Sequence, residues 1–141
     1  MLITLIHEHA AFESAPLPSV TAPQLMSALF GDSVPLQCWI AQTGGESAGY
    51  LTATRDFSTW TGRPFLNMDC LYVAAHHRNT GIGAALFEAL RHVAQQTGIV
   101  DIQWQTPHWN ADAARFYRRL GAEEQIKRRF TFDARRKSGA V

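Results

Sequence analysis

Between residues 65 and 106 the chain passes from an apolar run, FLNMDCLYV (65–73), through a glycine-spaced turn into a long amphipathic stretch. It then returns to a second apolar run, VDIQWQT (100–106). No other feature constrains the fold as strongly. Two short apolar runs joined by a helix form a βαβ unit, whose strands are parallel and connected by a right-handed crossover. The helix is predicted over 81–97, with Ile82, Leu86, Leu90 and Val93 on one stripe and Gly98 stopping it. Upstream, LQCWIAQ (36–42) and AGYLTATRDF (48–57) flank TGGES and read as an antiparallel hairpin. The expected fold class is therefore α/β (α+β), with a mixed central sheet and helices on both faces.

The remaining elements follow from periodicity and caps. Residues 2–13 (LITLIHEHAAFE) suit an amphipathic helix, on which Glu13 shares a row with Leu2, Ile6 and His9. An acid on the buried side needs a partner, unless the helix end frays and leaves Glu13 in water. A short helix is predicted from Thr21, as its cap, to Gly31, with Pro23 near the first turn. NADAARFYRRLG (110–121) reads as a helix with Asn110 at the N-cap and Gly121 past its end. QIKRRFTFD (125–133) reads as a closing strand. One domain over 1–134 is expected, followed by a flexible basic tail over 135–141.

Composition narrows the function classes. With 46% hydrophobic and 18% charged residues the 141-residue chain is globular in composition. The absence of a long apolar run or signal-type segment predicts a soluble, cytoplasmic protein without a membrane partner. Cys38 and Cys70 are expected to be free, buried thiols rather than a disulfide. Residues 1–77 hold six acids and two bases, a balance of −4, whereas residues 78–134 hold eight bases and six acids, a balance of +2. That asymmetry suits a cationic small molecule meeting an anionic one, although solvated faces can carry the same imbalance. Nucleic acid is not expected, because the bases are not interleaved with stacking aromatics. No metal is expected either: His7/His9 and His76/His77 lack the i, i+4 spacing of a helical zinc site.

The turn HHRNTGIGAAL at 76–86 is the candidate binding motif. A Walker loop fails for want of a lysine after Gly83, and a dinucleotide fingerprint fails for want of a third glycine. What remains is an arginine, a flexible backbone at Gly81 and Gly83, and a helix N-terminus, which together suit a pyrophosphate. An ordinary glycine-rich connection would look the same taken alone.

A second motif lies one strand downstream. R-x-x-G-x-G at 78–83 and N-x-x-A-x-x-F-Y-x-x-x-G at 110–121, in this order and spacing, resemble the GNAT superfamily of acetyl-CoA-dependent N-acetyltransferases. LIHEHAAFE, DCLYV, HHRNTGIG and WNADAARFYRRLGA are most similar to its diamine (spermidine/spermine) branch. The resemblance covers nearly the whole chain and implies a GNAT fold, here without the strand that usually precedes the first helix. It implies that the backbone of Leu71, Tyr72 and Val73 pairs with the pantetheine arm of acetyl-CoA like an added strand. Arg78, Asn79, Thr80, Gly81, Ile82, Gly83 and Ala84 would wrap the pyrophosphate, and Asn110, Ala113, Tyr117 and Arg119 would flank the rest of the coenzyme. Tyr117 falls on the family's general-acid tyrosine. Asp69 falls near the acceptor amine, with Phe12 and Glu13 at the end of the first helix and Gln103 and Gln105 on the neighbouring strand. A homodimer is also implied, which would cover the edge strand 36–42.

The chemistry agrees with these positions. An alkyl amine, with a pKa of ~10.4, must lose its proton before attacking a thioester, and Asp69 is the candidate base, with burial expected to raise its pKa. A phenol with a pKa of ~10 is matched to a leaving thiolate of ~8.5, which suits Tyr117. A structural acid capping a loop at Asp69, and an aromatic packed beside Phe116 at Tyr117, are the alternatives. Protein or peptide N-acetylation and a non-catalytic acyl-CoA-binding module also stay open. The chain departs from the branch in four places. Asp69 replaces a glutamate, Cys70 replaces a second acid, Asn79 replaces a glycine, and the segment after Gly121 is shorter.

Overall fold

The computed structural model of the chain describes residues 1–137 and Gly139. They divide into two compact units, Met1–Trp109 and a unit from Asn110 onward, and each is described by itself. The first unit holds the sheet. Its strands are β1 (Gln37–Thr43), β2 (Glu46–Ser58), β3 (Arg63–Val73) and β4 (Ile102–Trp104), in spatial order β1-β2-β3-β4. Its helices are α1 (Leu2–Glu13), α2 (Thr21–Phe30) and α3 (Ile82–Gln96).

The two-residue turn Gly44-Gly45, with φ of 55° and 80°, closes the β1–β2 hairpin. Positive φ at both central residues matches the twist of the flanking strands and favours glycine there. β3 pairs with β4 in parallel, as the βαβ pattern requires. The mixed sheet carries helices on both faces. Leu5 of α1 packs with Tyr50, Tyr72 and Ala74, while Leu86 of α3 approaches Gly49, which faces the other way. Leu51 and Leu90 are fully buried. Burying each such leucine contributes about 1.5–3 kcal/mol.

Three expectations are corrected. Thr21 is the first residue of α2 rather than its cap; Val20 holds that position with helical dihedrals and no side-chain cap bond. β4 is three residues rather than seven, because its ladder with β3 covers only Leu66–Met68. Residues 125–133 form no strand. Ile126 and Phe130 are 95% and 87% exposed, so the segment gains no burial that would offset ordering its backbone, and Lys127, Arg128 and Arg129 repel one another along it. Of the expected tail, residues 138, 140 and 141 lie outside the described residues.

In the second unit, α4 (Ala111–Arg119) starts at Asn110, whose Oδ1 accepts a hydrogen bond from the Ala113 amide at 3.1 Å. Gly121, at φ 96°, follows the helix end. Removing this cap with Asn110→Ala should cost about 1 kcal/mol, read as a lower denaturant midpoint, and Asn110→Ser should recover most of it. An Ala variant as stable as the parent would mean the bond contributes nothing.

Candidate functional site

β3 changes character at Asp69. Upstream of it Met68 lies opposite Ala53 of β2, and downstream Cys70 lies opposite Thr52, so Asp69 is the extra residue of a β-bulge. Bulges end regular pairing and re-aim side chains, and they concentrate beside functional sites. Here the β3–β4 ladder stops at Met68, just before the bulge. Among the described residues no strand pairs with the β4 side of Asp69–Val73. Leu71, Tyr72 and Val73 thus lie along a sheet edge able to accept an extended ligand. Val73 contributes one already engaged group: its carbonyl accepts from Arg78 Nε at 2.9 Å.

The edge leads into a single 3-10 turn (Ala75–His77) and then the RNTGIG loop. Asn79 and Gly81 adopt left-handed backbone, at φ 62° and 86°. Thr80 Oγ1 donates to the His77 carbonyl at 2.6 Å and braces the loop. α3 has no side-chain cap, and its first backbone bond runs from the Ala85 amide to the Gly81 carbonyl. The amides of Ile82, Gly83 and Ala84 therefore have no intrahelical acceptor. With the positive helix end and open space around Gly81, they fit a pyrophosphate. The guanidinium of Arg78 lies over Phe12 at 5.0 Å and over Tyr72 at 5.6 Å, while Phe12 also meets Trp109 edge-on. Phe12 is thereby tied to the loop side.

Asp69 itself is exposed, which corrects the expectation of a buried carboxyl: the bulge turns its side chain out of the apolar strand. Beside it, burial and then the Asp69 charge push the Cys70 thiol up to about 11. Burial likewise raises Tyr50 well above the ordinary phenol range, and Tyr72 more modestly. Glu13 has the partner its position demanded: His9 Nε2 lies 2.5 Å from Glu13 Oε2. The other ring nitrogen, Nδ1, lies 2.6 Å from the Tyr50 hydroxyl. The sequence reading missed His9 and Tyr50 as members of this cluster, although the i, i+4 spacing of His9 and Glu13 was a usable signal. Gln103 pairs in register with Asn67 and is exposed; Gln105, also exposed, lies past the end of β4.

Both thiols are free and half-buried rather than fully buried. His76 and His77 converge on Glu46 through Nε2 at 3.4 and 3.1 Å, fastening the hairpin turn to the 3-10 turn. Hydrogen bonds from His77 and then His76 hold that carboxyl below the usual range. Glu46 is 30 residues away from His76, so spacing among the histidines could not reveal the group. In the second unit, Tyr117 is half-buried with its ring 5.4 Å from Phe116, and Arg119 is exposed. Arg118 pairs with Glu124 at 2.8 Å. No helix among the described residues is long and apolar enough to cross a membrane.

Residues 5–122 match the acetyltransferase (GNAT) family. The chain is 34% identical over 117 residues to a thialysine N-epsilon-acetyltransferase of Caenorhabditis elegans, covering 82% of this chain and 71% of that protein. It is 27% identical to the human spermidine/spermine N(1)-acetyltransferase-like protein 1, over 86% of this chain and 18% of that longer protein. In structure it resembles an integron cassette protein from the mobile metagenome of Cole Harbour Salt Marsh. The TM-score is 0.78 at 25% identity, over 94% of this chain and 82% of the other.

Proposed function

Since the chain belongs to the acetyltransferase (GNAT) family, and is an N-acetyltransferase, we propose that it acetylates a primary amine of a small cationic acceptor, a diamine, polyamine or lysine analogue. The observation that carries the choice of acceptor is the convergence of two carboxylates. Glu13 is joined to the Tyr50 hydroxyl through His9, and the neighbouring Cys70 thiol donates to Asp69 Oδ2 at 3.8 Å, so one patch beside the open β3 edge is anionic. Potential of that sign concentrates ammonium groups.

Acetyl-CoA supplies the acetyl thioester in this scheme. The edge Leu71–Val73 aligns its extended arm, and the amides of Ile82, Gly83 and Ala84 take the pyrophosphate, with Arg78, Asn79, Thr80 and Gly81 around them. Asn110, Ala113 and Arg119 flank the remainder. Asp69 positions the acceptor and takes the amine proton through water, a role its exposure supports better than direct abstraction by a buried acid. A backbone N–H within 71–73 stabilises the developing oxyanion. Tyr117 returns a proton to the departing thiolate. Phe12, Gln103 and Gln105 contact the acceptor. Both proton transfers are assigned to side chains, so the scheme has no step for a metal. β1, the outer strand of the sheet, offers the edge for a homodimer, and the cytoplasm is the compartment proposed.

Thiol release from acetyl-CoA with diamines, polyamines, lysine analogues, aminoglycosides and peptide N-termini tests this reading. Turnover is expected with the small polycations and weakly or not at all with peptides. Peptide turnover alone would move the assignment to protein N-acetylation. Coenzyme binding with no turnover on any amine would make the protein a binding module.

A further inference from the structure

His9 has no place in the scheme above, yet it joins Glu13 of α1 to Tyr50 of β2 beside the acceptor patch. Its side chain is 12% exposed, and both ring nitrogens are engaged, Nε2 by Glu13 and Nδ1 by the Tyr50 hydroxyl. The ring stacks on Tyr72, with centroids 4.9 Å apart at 21°, and meets Tyr50 edge-on. The imidazole is thus fixed in one place by two elements of the sheet and one of the helix. The proton positions follow from the partners. An ionised Glu13 only accepts, so Nε2–H donates to it; Nδ1 then has a lone pair to accept from the Tyr50 O–H.

In that neutral tautomer the Glu13 carboxylate keeps its full charge and has surface left for a further cation, being 31% exposed. A second proton on the ring changes this. Imidazolium becomes an internal counter-ion, and Glu13 no longer offers net charge to a ligand. Histidine is the side chain that makes this change between pH 5 and 8. Other charged or titratable groups also surround the ring. They are Glu8 on α1, Asp69 and Cys70 on β3, the phenols of Tyr50 and Tyr72, and Arg78 over the Tyr72 ring.

We propose that His9 is a positioning residue: it aims the Glu13 carboxylate at the non-reacting ammonium of a diamine acceptor and, when it takes a proton, cancels the charge that holds that ammonium. The inference rests on the amine-acetyltransferase reading. The proton on His9 and the ammonium at Glu13 are competing ligands of one carboxylate, and their coupling is reciprocal.

The test compares a diamine with the amino alcohol in which a hydroxyl replaces its second ammonium, measuring kcat and KM from about pH 5.5 to about pH 8. In the parent protein the preference for the diamine, read in KM, should fall by roughly fivefold or more as pH drops. In His9→Gln, whose amide can still donate to Glu13 but cannot be protonated, that slope should flatten. Glu13→Gln should lose the preference at every pH, and it tests the same point should His9→Gln not fold. Equal slopes in the parent and His9→Gln, a change confined to kcat, or a preserved preference in Glu13→Gln would each overturn the inference while leaving the acetyltransferase reading standing. No turnover with either amine would overturn that reading, and this inference with it.

Discussion

Tyr117→Phe should lower kcat by roughly 10²–10⁴. The substitution removes one oxygen and keeps the ring, so the packing beside Phe116 persists. What is lost is a proton donor for a thiolate whose conjugate acid has a pKa of ~8.5, against ~10 for a phenol. The deficit should shrink when the leaving thiol is made more acidic, because a better leaving group needs less help. Single-turnover kinetics with acetyl-CoA and an activated thioester separate the cases. Equal rates for Tyr117→Phe and parent on both donors would remove the general-acid role.

Gly49→Val should destabilise the first unit by about 1–3 kcal/mol, a fall in Tm of roughly 3–12 °C. Gly49 lies on β2 opposite Val73. A Cβ there would stand 2.6 Å from the Tyr72 carbonyl oxygen, with the Val73 Cα and Leu86 Cδ1 both at 3.3 Å. A carbonyl in a ladder cannot swing aside as a side chain can, so β2 and β3 must part at this point. The same displacement moves the open edge at Leu71–Val73 relative to α3, and coenzyme affinity should fall with stability. Thermal denaturation with and without coenzyme reads both effects. A Tm within roughly 1 °C of the parent would show that the strands absorb the methyl groups without parting.

The sheet unit was legible because its signals are local and redundant. α1 shows its apolar stripe over 2–13, the Gly44-Gly45 turn demands a hairpin, and two apolar runs around a helix demand a parallel pair. Legibility failed where a neighbour decides. The apolar residues of 125–133 suggest a strand, but a strand exists only through its ladder, and no partner lies beside that segment among the described residues. The far end of β4 stops at Trp104, opposite Met68, where a bulge on β3 begins that leaves no mark in β4's own sequence. Asp69 looked buried because apolar residues flank it, an inference that holds for regular alternation and fails at the one residue left out of it. At the site, the motif residues could be located by pattern. The His9–Tyr50 contact could not, since the two are 41 positions apart and belong to no motif.

The bulge also bears on how such a site can change over generations. Met68 and Cys70 face Ala53 and Thr52 whatever side chain stands between them. Residue 69 is therefore surplus to the ladder, whose register does not depend on its identity. Under the proposed function, a change of acceptor at residue 69 can be met by a change of side-chain length that leaves the β2–β3 register as it is.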